Sequence, residues 1–345
     1  MFSRFPIRNA SISAVAPAKT SLSRSPVHRL RKTGVILLMI LEIFIFCYMG
    51  IMGIVAICLE YPPPLPITKT PAAYGLNYRD ITFYSREDHI RLRGWFIPGV
   101  LPDRQMTTQR TVIMVHGTGS NRASPLVLSL SSALARRGFA ILAFDLRGMG
   151  QSDPAPLSEG YFEQRDVLGA VDFLHTGQLP YPELGRPRFI AGWGDSMGAA
   201  TMLLAAAHEP AIRAIVSDSG FAALVPLLQS DTQVPGMFIP SVLSAVDILY
   251  GINFYALRPV NVVASIAPRP IFFIQGAADT VVPPSNMDML ARAAETAPHA
   301  HVQTWLVKGA NHIQSYQVMG AVYVNRVIDF FTRTLGPDTS VAPVR

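Results

Sequence analysis

The chain has 345 residues, half of them hydrophobic and 15% charged, with 25 Gly and 28 Pro, which excludes a disordered or collagen-like chain. Its formal net charge of +6 changes meaning when divided along the sequence: residues 1–33 hold seven basic and no acidic side chains, whereas residues 60–345 hold 22 of each. A neutral body excludes a nucleic-acid groove, because counterion release needs a clustered cationic face. The two cysteines, Cys47 and Cys58, both lie in an apolar stretch, so neither a disulfide framework nor a cysteine-based metal site is expected.

The first predicted element follows a basic tail at 1–33. Residues 34–60 form an apolar run interrupted only by Glu42 and Glu60, the length an α-helix needs to cross a hydrocarbon core of roughly 30 Å. Glu42 lies within two turns of the start, where a carboxylate reaches the interface by snorkelling. The apolar core is too long for a cleaved signal peptide and lacks a small-x-small cleavage site, so the segment reads as an uncleaved signal anchor. Basic residues before it and none just after predict a cytoplasmic N-terminus and a body on the outer side. A competing reading treats the Ser-rich, Arg-rich, acid-free tail as a transit peptide and places the body at an organelle membrane. Residues 61–75 hold five prolines between Tyr61 and Pro71, which predicts an extended stalk of roughly 30 Å holding the body clear of the bilayer.

The body, 76–336, is followed by a short tail at 337–345. It opens with two β-rich runs, Arg79–Ser85 and Ile90–Pro98, that read as a hairpin. Apolar runs then alternate with helix-length segments. The runs are Thr111–Val115, Phe139–Phe144, Arg188–Ala191, Ile212–Val216, Ile271–Gln275 and Val302–Val307; the helices fall near 125–137, 161–175, 197–208, 285–296 and 315–334. Apolar strands separated by helices predict an α/β fold, a mostly parallel sheet buried on both faces and flanked by helices. About 50 residues between the fourth and fifth of these strands exceed one crossover, and residues 221–260 read as a short cap over the ligand site.

Gly194-Asp195-Ser196-Met197-Gly198 stands between a strand and a helix, the setting of a nucleophile elbow. A strand that turns at once into a helix strains the serine backbone, and glycine on both sides leaves room for the neighbouring chain. A serine hydroxyl then needs a histidine base oriented by a carboxylate. In a parallel sheet the residues just after each strand share the C-terminal edge, where ligands bind. That rule sets aside His299 and His301 at the start of the last strand, His175 and His208 at helix ends, His89 in the hairpin and His28 in the tail. His116 reads as shaping the Gly117-Thr118-Gly119 loop, which leaves His312, after the last strand, as the base. Asp279, after the fifth strand, is the expected acid, and Asp218 is the alternative. Asp145 is expected to order the Arg147–Gly150 loop instead. The backbone N–H groups of Met197 and Thr118 are the expected oxyanion donors. No metal or cofactor is called for: His208-Glu209-Pro210 lacks the second histidine of a zinc-protease helix, and no phosphate-cradling loop is present.

These residues resemble the α/β-hydrolase superfamily over nearly all of 75–335. The likeness is carried by His116-Gly117, by Asp145-Leu146-Arg147-Gly148-Met149-Gly150-Gln151-Ser152, by the Ser196 pentapeptide, by Gly276-Ala277-Ala278-Asp279 and by Asn311-His312. With an N-terminal anchor, the chain looks like a membrane-anchored serine hydrolase of the esterase and lipase kind. That resemblance implies ester, thioester or sometimes amide hydrolysis without a cofactor. Gln275 departs from the pattern, since many relatives carry His before the Gly-x-x-Asp turn, but it lies outside the expected triad. The cap segment is rich in Leu, Ile, Met, Phe and Tyr, with two aspartates and no Lys or Arg across 226–257, which points to a neutral, apolar ester or thioester such as a lipid-derived chain. The alternatives are a serine peptidase or amidase using the same triad, and a membrane-tethered binding protein that keeps the fold without catalysis.

Overall fold

The computed structural model describes residues 26–61, 63–230 and 236–336. Most of the expected basic tail and all of the expected tail at 337–345 lie outside the described residues. Helix α1 runs Pro26–Glu60. Its Thr33–Val55 portion, 23 residues with mean hydropathy 2.6, spans about 34 Å at helical rise, long and apolar enough to cross a membrane.

The body begins with strands β1 (Arg79–Tyr84) and β2 (Arg91–Ile97), antiparallel neighbours as the hairpin reading expects. A two-stranded ribbon of β3 (Gly99–Val100) and β4 (Met106–Thr107) follows. Strand β5 (Arg110–Val115), helix α2 (Pro125–Ala135), strand β6 (Ala140–Phe144) and helix α3 (Glu163–Thr176) come next. Strand β7 (Phe189–Asp195) runs without a gap to Ser196 and helix α4 (Met197–His208), and β8 (Ile212–Asp218) follows. The long insertion holds α5 (Leu224–Ser230), α6 (Ile239–Tyr250) and the single turn α7 (Pro259–Val262); Asp231, one of the two acids of the cap segment, lies outside the described residues. The chain ends with β9 (Ile271–Gly276), α8 (Ser285–Glu295), β10 (Val302–Val307), α9 (Ser315–Met319) and α10 (Ala321–Leu335).

The eight-stranded sheet has the order β1-β2-β6-β5-β7-β8-β9-β10, parallel from β6 onward. Side chains of one strand alternate between two cores. Ile113 and Val115 of β5 join α3, α4 and α8 on one face, while Val112 and Met114 join α2 and α10 on the other. This two-sided burial explains why the central strands read as continuous apolar runs. The expectation fails at β10, which has only β9 beside it and leaves Leu306 half exposed. The single helix expected at 315–334 is broken at Gly320, whose φ of +49° ends α9 and starts α10.

The expected stalk does not stand free of the body. The Tyr61 ring meets Tyr250 edge-on, centroids 5.9 Å apart. Asn121 Nδ2 donates to the main-chain oxygens of Leu65 and Pro66 at 3.0 and 3.3 Å. An extended proline-rich backbone makes no hydrogen bonds of its own, so its carbonyls are available to a neighbouring amide.

The sheet order also positions the site. From β5 the chain moves to β6 on one side and then to β7 on the other. Connections that diverge in this way open a crevice at the carboxyl ends of the two strands, and the loops after β5 and β7 face each other there.

Candidate active site

Ser196 has φ +53° and ψ −122°, a conformation that costs a non-glycine residue of order 1–3 kcal/mol and persists only when its surroundings hold it. They do so here on three sides. The Ser196 N–H donates to the Asp218 main-chain oxygen at 2.8 Å. A Cβ at Gly194 would lie 2.3 Å from the Gly198 oxygen, and one at Gly198 would lie 2.4 Å from the Val115 oxygen. The glycines therefore let β7, α4 and β5 close around the serine.

His312, on the turn after β10, reaches Ser196 Oγ with Nε2 at 2.9 Å and Asp279 Oδ2 with Nδ1 at 2.8 Å. A carboxylate only accepts, so Nδ1 carries the proton that is donated to Asp279. That leaves Nε2 of the neutral ring to accept from the serine hydroxyl. The Asp279 side chain is fully buried and that of His312 is 17% exposed. Asp279 Oδ1 accepts from the amides of Val281 and Val282 at 3.0 and 2.9 Å, which fixes the carboxylate plane.

Gln275 also holds the acid, a role its place outside the expected triad concealed. Its Nε2 donates to Asp279 Oδ2 at 2.7 Å and to the Val282 oxygen at 2.9 Å. The signal in the sequence was its position at the end of β9, four residues before the acid.

The alternative acid, Asp218, does not bond His312. Its carboxylate accepts from Tyr323 Oη at 2.8 Å and from Ser219 Oγ at 3.0 Å, and burial pushes its pKa up to about 6. Tyr323 in turn accepts from Trp193 Nε1 at 3.1 Å. Neither Tyr323 nor Trp193 was singled out in the sequence, because their meeting depends on how α10 packs on β7 and β8.

His116 behaves as its loop-shaping reading expects. It is buried, its Nδ1 lies 2.9 Å from the Gly117 oxygen, and its Nε2 accepts from the Leu146 amide at 3.2 Å. Asp145 orders the next loop through the amides of Arg122 and Gln151 at 2.9 and 2.8 Å and through an ion pair with Arg122.

The loop carrying Thr118 runs beside the serine: a Cβ at Gly117 would lie 3.1 Å from Ser196 Cβ. Met197 opens α4, where the first N–H groups of a helix lack acceptors within it and gather partial positive charge. Two further acids surround this loop. Thr118 Oγ1 donates to Glu159 Oε2 at 2.9 Å, and burial pushes the Glu159 pKa up to about 7. The Asp195 carboxyl is buried nearby, and its Oδ1 has no hydrogen-bond partner among the described residues. Burial, reinforced by the nearby Asp218 charge, pushes the Asp195 pKa up to about 7.

A family model described as the alpha/beta hydrolase fold matches residues 110–247. The chain is 28% identical to the protein YfhR of Salmonella typhi over 309 residues, which cover 86% of this chain and 95% of that one. Among solved structures it is similar to the Pyrococcus furiosus esterase Pf2001, with a TM-score of 0.66 and 25% identity over 81% of this chain and 99% of that one. An acylaminoacyl peptidase of Pyrococcus horikoshii shares the fold, with a TM-score of 0.58 and 17% identity over 77% of this chain and 44% of that one.

Proposed function

The chain belongs to the α/β-hydrolase superfamily, and on that premise we propose that it is a serine hydrolase cleaving carboxylic esters or thioesters of apolar acyl chains. The observation that carries this reading is the run of contacts from Ser196 through His312 to Asp279, at 2.9 and 2.8 Å. Ser196 Oγ attacks the acyl carbon as its proton passes to His312 Nε2, and Asp279 stabilises the resulting imidazolium. The carbonyl oxygen becomes an oxyanion, held by the N–H groups of Thr118 and Met197. Collapse breaks the bond to the leaving oxygen or sulfur, which takes the proton from His312, and an acyl-Ser196 ester remains. Water then repeats the sequence with His312 as base, and the carboxylic acid leaves.

In the same proposal α1 is a signal anchor that leaves the N-terminus in the cytoplasm and the body outside. Protease added to intact cells is expected to degrade the body; a body cut only after the cells are opened would reverse this topology.

The chemistry is tested by labelling the detergent-purified full chain with a fluorophosphonate and locating the adduct by mass spectrometry. An adduct on Ser196 that is lost in His312→Ala is expected. A folded protein that takes no label, or takes it elsewhere, would sink the reading. Turnover of matched esters and amides then separates an esterase from a peptidase.

A further inference from the structure

Tyr61 stands two residues beyond Leu59, the last apolar residue of α1. In a chain anchored by that helix its ring falls in the headgroup layer, where the apolar face and polar hydroxyl of tyrosine are both satisfied. The ring that packs edge-on against it is Tyr250, at the end of α6. Beside Tyr250 the chain exposes Ile248 (76%), Leu249 (49%) and Tyr255 (54%), and Asp247 is the only charged residue across 236–257. Apolar side chains scattered over a surface need no explanation, but these gather at the residue in contact with the end of the helix.

The active-site loop is close to the same point. Leu65 and Pro66, bonded to Asn121, lie four and five residues after Tyr61, and Asn121 is three residues after Thr118. Four residues of fully extended chain reach at most about 14 Å, so Leu65, whose carbonyl Asn121 holds at the end of this loop, lies within that reach of Tyr61.

We propose that the rim formed by Ile248, Leu249, Tyr250 and Tyr255 seats with Tyr61 in the headgroup layer of the bilayer that holds α1, and that the Ser196 site takes neutral long-chain esters directly from that bilayer. The docking half rests on the anchor reading of α1, and the substrate half on the hydrolase reading.

The two halves are tested separately on the full chain in phosphatidylcholine nanodiscs. The first test compares the parent and Ile248→Trp in discs with and without bromine on the acyl chains. In the parent, Trp95 and Trp193 are buried in the body and provide the baseline with Trp305. Brominated lipid is expected to remove about half or more of the fluorescence added by the new tryptophan, as for a side chain in the headgroup and acyl boundary. Quenching no greater than in the parent overturns the docking. So does an emission shift that appears only as copies per disc increase, which would assign the rim to a second copy. In the second test, the double variant Ile248→Glu, Leu249→Glu is expected to cleave a long-chain ester embedded in the disc at least about tenfold more slowly, and a water-soluble short-chain ester within about twofold of the parent. Equal loss on both substrates, or loss on neither, overturns direct uptake. A parent that cleaves neither ester removes the hydrolase reading, and the quenching result still decides the docking.

Discussion

Asp279 offers His312 an oxygen at 2.8 Å, while Asp218 gives its two oxygens to Tyr323 and Ser219. Asp279→Asn is therefore expected to lower kcat by about 10⁴-fold by favouring the wrong histidine tautomer. Asp218→Asn keeps an acceptor and is expected to stay within about tenfold, because it does not touch the ring; steady-state rates on a soluble ester compare the two. Asp195 gives a prediction in pH. Its pKa rises from 3.8 to about 7 on folding, so between those values the folded state binds more protons and stability falls as pH rises. Asp195→Asn removes that loss, and thermal unfolding should show the variant gaining on the parent from pH 4 to pH 8. The serine, histidine and acid were legible because each follows a strand and so shares one sheet edge. Gln275 and Tyr323 were not, since a side chain that supports another is marked only by its folded neighbours.

At the scale of elements, α10 packs on the sheet through an apolar face, and the Tyr323 hydroxyl adds a polar link from Asp218 to Trp193. Tyr323→Phe leaves that buried carboxylate short of a donor, at a cost of about 1–3 kcal/mol. For a chain of this size the midpoint of unfolding should fall by about 2–6 °C, with KM unchanged, as differential scanning fluorimetry and kinetics would show. Gly198→Ala drives a Cβ against the Val115 oxygen at 2.4 Å; the expected result is a fall of at least about 5 °C or no folded protein. The central strands were visible as apolar runs because helices cover both their faces. The half-exposed edge of β10 was not, since an end strand and a middle strand can carry the same residues. The break at Gly320 has no mark in the sequence, because a glycine inside a helical pattern is tolerated in many helices.

For the whole molecule, composition separated an apolar helix from a neutral body, but it said nothing of the contacts that bind the proline-rich segment to that body. The carbonyls of Leu65 and Pro66 and the ring of Tyr61 make those contacts, and none has a sequence signature. Removing residues 1–50 is expected to leave turnover of a water-soluble ester within about twofold and to cut turnover of a vesicle-embedded ester at least about tenfold, because the remaining rim binds lipid only weakly and reversibly. The bond from Asn121 to the proline-rich segment also changes the units in which substrate is counted. Under the proposed anchoring, the site searches a plane instead of a volume. With the proposed ester supplied from that bilayer, the expected rate follows its mole fraction there, so diluting it with inert phospholipid should slow turnover even when the bulk concentration is unchanged.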